Sequence, residues 1–216
     1  IIVDHSFFSE HISIPGKGSS LNPYDASTGS LSANFNTVKF KRTGPDQFAS
    51  AEPQTPLLPE FIPLIQQTGL AEGRIVIPAR LGRVYAGRLI QHTLADKGIT
   101  ISGKVKTAGL PAPFQSETKL FSSPFTIEQV TQMLLKYSNN FIANQLLLIL
   151  GAERYGAPAT LENGAQALMQ YAAASLELKR IVLKEGSGLS RENRISPEQM
   201  IRVLIHFLPY FKLLSQ

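Results

Sequence analysis

The 216-residue sequence predicts an α+β fold in which a β-rich first half is followed by a helical second half. Short β-type segments separated by Gly, Ser and Pro dominate up to residue 110, and helical periodicity dominates beyond residue 124. A hydrophobic content of 43% can fill a core of this size. The proline-containing loop 109–124 is the expected boundary, so residues 1–110 and 111–216 are predicted to be separate domains.

The first half is predicted to consist mostly of strands and loops. Its expected segments are a short buried strand at 1–4, a loop at 15–30, a strand at 32–41 and a turn at 42–45. Prolines at several positions between 53 and 78 argue against a long helix there. From Leu81 apolar residues recur at helical steps until Lys97-Gly98 ends the helix, and residues 99–101 predict another strand.

The second half is predicted to be helical. Thr126 can cap a helix with an apolar face, residues 141–150 predict a mostly buried helix, and residues 161–176 predict an alanine-rich one. Residues 180–183 predict a brief strand. Ser196 and Pro197 are suited to the N-cap and first position of a last helix.

Charge and composition exclude several classes of function. The net charge of +5 comes from scattered Lys and Arg, without the basic stripe typical of nucleic-acid binding, so no nucleic-acid partner is expected. The absence of cysteine excludes disulfides and a thiolate nucleophile, and the four histidines have no metal-site spacing, so no metal or cofactor is expected. No apolar run approaches the ~20 residues of a membrane span, although peripheral membrane contact stays open.

The most informative segment is Ser138-Asn139-Asn140, which lies between two predicted helices. Three polar residues here are placed where burial is expected, and an unpaired buried polar group costs about 1–3 kcal/mol. Ser and Asn also cap helices, so a bare Ser-x-Asn tripeptide favours a helix boundary over a functional motif. The sequence around the motif must therefore decide between these two interpretations.

That surrounding sequence resembles the class C low-molecular-mass penicillin-binding proteins, which are D-alanyl-D-alanine carboxypeptidases and endopeptidases. The resemblance covers Ser123-Pro124 and residues 133–147, and a second match follows at 185–191 with Asn193. A softer resemblance runs through residues 1–4, 33–36, 85–87 and 98–99. Two motifs in the family's order are more specific than either motif alone.

The resemblance implies a fold and residue roles. Residues 111–216 would be the helical lobe of a β-lactamase or transpeptidase-like domain, and 1–110 the remainder of inserted, mostly β domains. Ser138 would relay protons between the catalytic lysine and the leaving-group nitrogen. Asn140 would orient the substrate amide and hydrogen-bond that lysine. Asn139 is the weaker, substrate-binding candidate, and would help to hold the loop in shape.

In this family a Ser-x-x-Lys serine attacks the D-Ala carbonyl to form an acyl-enzyme, and a Lys-Thr-Gly motif follows Ser-x-Asn. Ser116-Glu117-Thr118-Lys119 fits the first pattern, but it lies in a proline-flanked loop too close before Ser138. Arg42-Thr43-Gly44 and Lys106-Thr107-Ala108 only imitate the second, and both precede Ser138. We therefore expect this chain to be an internal piece that is inactive alone, with the nucleophile before Ile1.

The predicted function is that of a serine-type peptidase. Its expected partners are peptidoglycan peptides ending in D-Ala-D-Ala and β-lactam antibiotics, and its expected location is periplasmic or extracytoplasmic. One alternative is a non-catalytic relative that binds peptidoglycan or acts as a scaffold. A second is an unrelated interaction domain in which Ser138-Asn139-Asn140 only caps a helix.

Overall fold

The computed structural model describes residues 1–110 and 118–214, and the predicted α+β class is confirmed. The chain forms two compact units. The first contains residues 1–6 and 18–109, and the second contains residues 7–17 and the described chain from 110 onward. Residues 7–17 therefore pack with the helical part of the chain, a long-range pairing that the local pattern did not indicate. The assignment of the first unit as the remainder of inserted domains stays a prediction.

The first unit is built on a three-stranded antiparallel sheet. Strand β2 (Thr37–Arg42) lies at its centre, between β3 (Phe48–Ser50) and β4 (Glu72–Val76). Phe40, on β2, is completely buried in a core that includes Phe61 and Tyr85. The predicted first strand is confirmed as β1 (Ile2–Val3), which pairs in parallel with β5 (Lys106–Thr107). Only Val3 of its two residues is buried, because Ile2 remains 50% exposed.

The predicted strand 32–41 begins five residues later than expected. Asn34, Phe35 and Asn36 all have positive φ angles, between 49° and 56°, in a single 3-10 turn. Extended backbone requires negative φ, so β2 can begin only at Thr37. Asn tolerates left-handed geometry better than most residues, and the pair flanking Phe35 was an unused signal for this turn.

Two α-helices complete the first unit. Helix α1 (Ile62–Thr68) is short and has Pro63 in its first turn, which agrees with the absence of a long helix here. Helix α2 (Ala79–Asp96) confirms the predicted helix, and Gly98 ends it with φ of 79°. The predicted strand at 99–101 is wrong. The N–H of Ile99 instead donates to Leu94 O at 2.9 Å, which commits this residue to closing the helix.

The described residues of the second unit form four α-helices. They are α3 (Ile127–Tyr137), α4 (Asn140–Tyr155), α5 (Leu161–Leu176) and α6 (Pro197–Phe207), and a 3-10 helix, Leu208–Leu213, follows α6. The predicted caps are confirmed at both amphipathic helices. Thr126 and Ser196 each accept from the backbone N–H three residues later, and a Gln side chain at that position returns a hydrogen bond.

Helices α4 and α5 pack closely because glycine occupies their crossing. A Cβ atom built on Gly164 would lie 2.3 Å from Leu147 O, and one on Gly151 would lie 2.6 Å from Gly164 N. Neither position can accept a side chain without moving a backbone. Beside this crossing, Leu147 and Leu148 are buried in the core of the unit together with Phe8 from the segment 7–17.

The predicted strand at 180–183 is wrong. Arg180 has a φ of 61°, which interrupts the extended run, and only Val182 pairs, through two hydrogen bonds of 2.8 and 2.9 Å with Arg194. This single bridge closes a loop over residues 182–194. In the described part of the chain, no helix is long and apolar enough to cross a membrane.

Candidate functional site

Ser138 lies at the junction between α3 and α4. It adopts the left-handed conformation, with φ of 48° and ψ of 51°, and its N–H donates to Leu134 O. The same carbonyl accepts from the N–H of Asn139 at 3.1 Å. Residues other than Gly and Asn rarely adopt this conformation, because it costs an L-residue roughly 1 kcal/mol or more. The chain therefore holds a strained serine at the turn between two helices.

Asn139 begins the second of these helices. Its Oδ1 accepts from the N–H of Ile142 at 3.0 Å, so it is the N-cap of α4. Its own φ is −82°, and the unusual backbone geometry falls on Ser138 instead. Asn140 follows as the first residue of α4 and is half-buried.

The expected burial of these three residues is wrong for Ser138. It is exposed, and Asn139 and Asn140 are each only half-buried. The apolar faces of α3 that flank the motif are also exposed, with Ile127 at 68% and Tyr137 at 63%. Their polarity therefore needs no buried hydrogen-bond partner. The C-cap of α3 and the N-cap of α4 fall on adjacent residues, and this places Ser138 at an exposed corner.

A second site feature is the carboxylate of Glu185, which is only 2% exposed. Oε1 accepts from the N–H of Gly188 at 2.8 Å, from the N–H of Ser190 at 3.2 Å and from Asn193 Nδ2 at 2.8 Å. Oε2 accepts from the backbone N–H of Ser187 at 2.7 Å and from its hydroxyl. One side chain therefore organises the loop that follows it.

Asn144 joins this loop to α4. Its Nδ2 donates to Glu185 Oε2 at 3.3 Å and to Asn140 O at 3.2 Å, and its Oδ1 accepts from the N–H of Gly186 at 2.8 Å. Asn144 is 2% exposed, so these hydrogen bonds are shielded from water. The first turn of α4 and the loop after Glu185 are thus held as one piece.

The ionisation of Glu185 follows from this environment. Burial raises the pKa of the Glu185 carboxyl, but hydrogen bonds from Ser187, Ser190 and Asn144 outweigh burial and hold the pKa below its ordinary value of 4.5. The carboxylate is therefore ionised at neutral pH. It acts as an acceptor for several donors and has no proton to give.

Glu185 was missed in the sequence because it has no partner carboxylate. The available signal was an acidic residue directly before Gly186-Ser187-Gly188, since a carboxylate can accept N–H groups from the turn that follows it. Gly186 adds a second signal. A Cβ atom on it would lie 2.7 Å from Ala143 O, so only glycine lets the loop lie directly against α4.

The segments that resemble the family's Lys-Thr-Gly and Ser-x-x-Lys motifs lie elsewhere in the chain. Arg42 is the last residue of β2, and Thr43 and Gly44 form a turn whose N–H groups donate to Gln47 O. Lys106 and Thr107 form the short strand β5. Ser116 lies outside the described residues. Within the ranges 1–110 and 118–214, no three His, Asp or Glu side chains are grouped so as to hold a metal ion.

Comparison with known proteins identifies the class. Residues 72–208 match the D-Ala-D-Ala carboxypeptidase 3 (S13) family, and the chain belongs to this family. The matched range contains both Ser138-Asn139-Asn140 and the loop organised by Glu185. The resemblance to penicillin-binding carboxypeptidases is confirmed.

Two curated relatives are similar over part of this chain. D-alanyl-D-alanine carboxypeptidase DacB of Haemophilus influenzae is 31% identical over 121 residues, which is 56% of this chain and 25% of the relative. A D-alanyl-D-alanine carboxypeptidase of Actinomadura sp. is 29% identical over 121 residues, covering 55% of this chain and 22% of the relative. The similarity therefore spans about a quarter of the length of these relatives.

Solved structures show the same fold. The crystal structure of penicillin binding protein 4 (dacB) from Haemophilus influenzae superposes with a TM-score of 0.72 at 20% identity, over 98% of this chain and 54% of that one. A second structure, of that protein complexed with a novel β-lactam, gives a TM-score of 0.52 at 26% identity. It covers 66% of this chain and 32% of the other.

Proposed function

We propose that this chain supplies the Ser-x-Asn wall of the active site in a serine-type D-Ala-D-Ala carboxypeptidase or endopeptidase. The observation that carries the proposal is the exposed, left-handed Ser138 between α3 and α4, inside the range that matches the S13 family. Residues held in sparsely populated backbone conformations cluster at active sites. The substrates would be peptidoglycan peptides that end in D-Ala-D-Ala, or D-Ala cross-links.

The proposed roles divide between the three residues. Ser138 relays a proton between the catalytic lysine and the leaving-group nitrogen. Asn140 orients the substrate amide and hydrogen-bonds the same lysine. Asn139 holds the corner as the N-cap of α4 and is the weaker candidate for substrate contact. The nucleophilic serine attacks the carbonyl of the penultimate D-Ala to form an acyl-enzyme, and terminal D-Ala leaves.

The same chemistry predicts how this chain responds to penicillin. A β-lactam would acylate the nucleophilic serine of the full-length protein. Residues 1–216 contain one Ser-x-x-Lys, at Ser116, and no Lys-Thr-Gly. This chain alone is therefore expected to stay unlabelled, and a stable adduct at Ser116 would contradict that assignment. The substrate implies an extracytoplasmic location, which fractionation of cells that express the protein would check.

The decisive experiment is acylation of the full-length protein by fluorescent penicillin. Ser138→Ala is expected to slow acylation by about a hundredfold or more, because it removes a proton-transfer group. Ser175→Ala, at an exposed position on α5, is the matched control and should keep the parental rate. Unchanged acylation in Ser138→Ala would rule out the relay. Peptidoglycan binding without acylation of the parent protein would instead favour a non-catalytic scaffold.

A further inference from the structure

The buried pair Glu185 and Asn144 has no role in the chemistry proposed above, yet it connects directly to the helix that carries Asn140. Asn144 Nδ2 donates to Asn140 O at 3.2 Å and to Glu185 Oε2 at 3.3 Å. Each of these two side chains is 2% exposed. An ionised carboxylate at this depth requires a reason, because its burial is costly unless several donors offset it.

We propose that Glu185 and Asn144 are positioning residues that hold the Gly186–Ser190 loop against the first turn of α4 and thereby fix the Ser138–Asn140 wall. The proposal rests on the proposed function. Glu185 touches neither Ser138 nor the Asn140 side chain through any described hydrogen bond, so it acts through Asn144 and the loop.

The way in which the loop is anchored supports this role. On one side Gly186 lies directly against α4, with no space for a Cβ atom beside Ala143 O. Elsewhere Gly186, Ser187 and Gly188 border a cavity of about 690 Å³ between α5 and α6. Residues 186–188 are therefore not enclosed on this side, and the hydrogen bonds to the Glu185 carboxylate hold Ser187 and Gly188 in place. Charge-assisted hydrogen bonds of this kind are stronger than neutral ones.

The chemistry of the donors explains why a carboxylate is needed. Three backbone N–H groups, a serine hydroxyl and two amide NH₂ groups point at the two oxygens of Glu185. Glutamine would replace one oxygen by an NH₂ group, which faces these donors without being able to accept. The loop would then have to move away from α4, and the contact between Asn144 Nδ2 and the side chain at position 185 would be disturbed. A shift of about 1 Å in a positioned group can cost about a hundredfold in rate.

The test uses the full-length protein, fluorescent penicillin over a range of concentrations, and the thermal unfolding midpoint of each variant. Glu185→Gln is expected to lower the limiting acylation constant by at least about tenfold, at a temperature where it is fully folded. The concentration for half-saturation should change less than about threefold, because positioning acts mainly on the reacting geometry. Glu185→Asp keeps the charge and is expected to recover part of the rate.

Glu192→Gln is the matched control. It also removes one negative charge from the loop over residues 182–194, but the side chain of Glu192 is 69% exposed. It should acylate at the parental rate. If Glu185→Gln does not fold, Asn144→Ser breaks the bridge and leaves the loop donors to Glu185 intact, and it should show the same loss of rate.

Three results would overturn the inference. A folded Glu185→Gln or Asn144→Ser variant that acylates at the parental rate, even with a lower unfolding midpoint, assigns the pair to stability alone. An equal loss of rate in Glu192→Gln shows that loop charge, and not this network, matters. A parent protein that penicillin does not acylate overturns the proposed function itself, and the positioning role with it.

Discussion

The carbonyl oxygen of Leu134 accepts a hydrogen bond from the N–H of Ser138, and this bond ends α3 on a residue with φ of 48°. Glycine is the residue that most helices use at such a position, since it has no Cβ atom to strain. Serine here carries a conformational cost that glycine would avoid. This relationship leads to the first prediction.

Ser138→Gly is expected to stabilise the full-length protein by roughly 1 kcal/mol and to slow acylation by penicillin about a hundredfold or more. Stability rises because left-handed strain is relieved, and activity falls because the hydroxyl is lost. Denaturant unfolding and a penicillin-labelling time course measure the two effects. Such an opposed pair of changes is typical of a functional residue.

The matched control is Glu177→Gly. Glu177 ends α5 in the same left-handed conformation, with φ of 54°, and its side chain is 84% exposed. This variant should gain similar stability and keep full acylation. Loss of stability in Ser138→Gly, or parental acylation by it, would contradict the assignment.

Asn139→Ala is expected to destabilise the protein by about 1 kcal/mol, because it removes the N-cap of α4. The capping oxygen accepts from the N–H of Ile142 at 3.0 Å. Asn139→Asp keeps an acceptor at the same place and should lose little stability. Chemical denaturation of both variants is the measurement. Equal stability of the alanine and aspartate variants would show that the cap contributes nothing.

The lowered pKa of Glu185 predicts a pH-dependent contribution to stability. Because its folded-state pKa lies below the ordinary value of 4.5, the contribution is fully present above that value. It is lost as the pH falls through the folded-state pKa, where the carboxylate becomes protonated. The difference in unfolding free energy between the parent and Glu185→Gln should therefore shrink when the pH is lowered.

Denaturant unfolding at several values between about pH 7 and pH 3 measures this difference. Glu192→Gln, whose carboxylate is exposed, should differ from the parent by a small amount at neutral pH. If the difference in unfolding free energy between the parent and Glu185→Gln stays constant down to the lowest pH, the pKa of Glu185 is not lowered.

Gly164→Ala is expected to destabilise the protein by up to about 2 kcal/mol. Alanine is favoured over glycine within a helix by about 1 kcal/mol, but overpacking costs about 1–3 kcal/mol. The clash prevails because the added Cβ atom would lie 2.3 Å from the backbone oxygen of Leu147, which cannot move independently of α4.

Gly103→Ala is the control for this substitution, because no atom lies within 4 Å of its Cβ position. It should change the unfolding free energy by less than about 0.5 kcal/mol. Thermal or denaturant unfolding of both variants gives the comparison. A stabilised Gly164→Ala variant would show that α4 and α5 can separate without cost.

Several features of this chain could be read from short stretches of sequence. Thr126 and Ser196 were predicted as caps because an N-cap hydrogen bond joins residues only three positions apart. Gly98 was predicted to end α2 for a similar reason. The strands at 99–101 and 180–183 failed because one positive φ or one returning hydrogen bond outweighs a brief β-type pattern.

The candidate site was also predicted only in part from the sequence. Ser138, Asn139 and Asn140 were recognised as a motif, and the family match over 72–208 agrees with that recognition. The exposure of Ser138 was not predicted, because it depends on which apolar faces pack against other elements. Glu185 was overlooked, since its partner Asn144 is distant in sequence and no local pattern joins them.

The sequence by itself determined the helix caps, because capping hydrogen bonds join residues within one turn. It also determined the α+β class, because the periodicity of apolar residues distinguishes helices from strands, and it shows the order of the two motifs directly. Only the tertiary structure decided that Ser138 is exposed in a strained conformation and that the Glu185 loop lies against α4. The position of the Glu185 loop depends on contacts between residues far apart in the chain, and the close approach of Gly186 to Ala143 O makes those contacts possible.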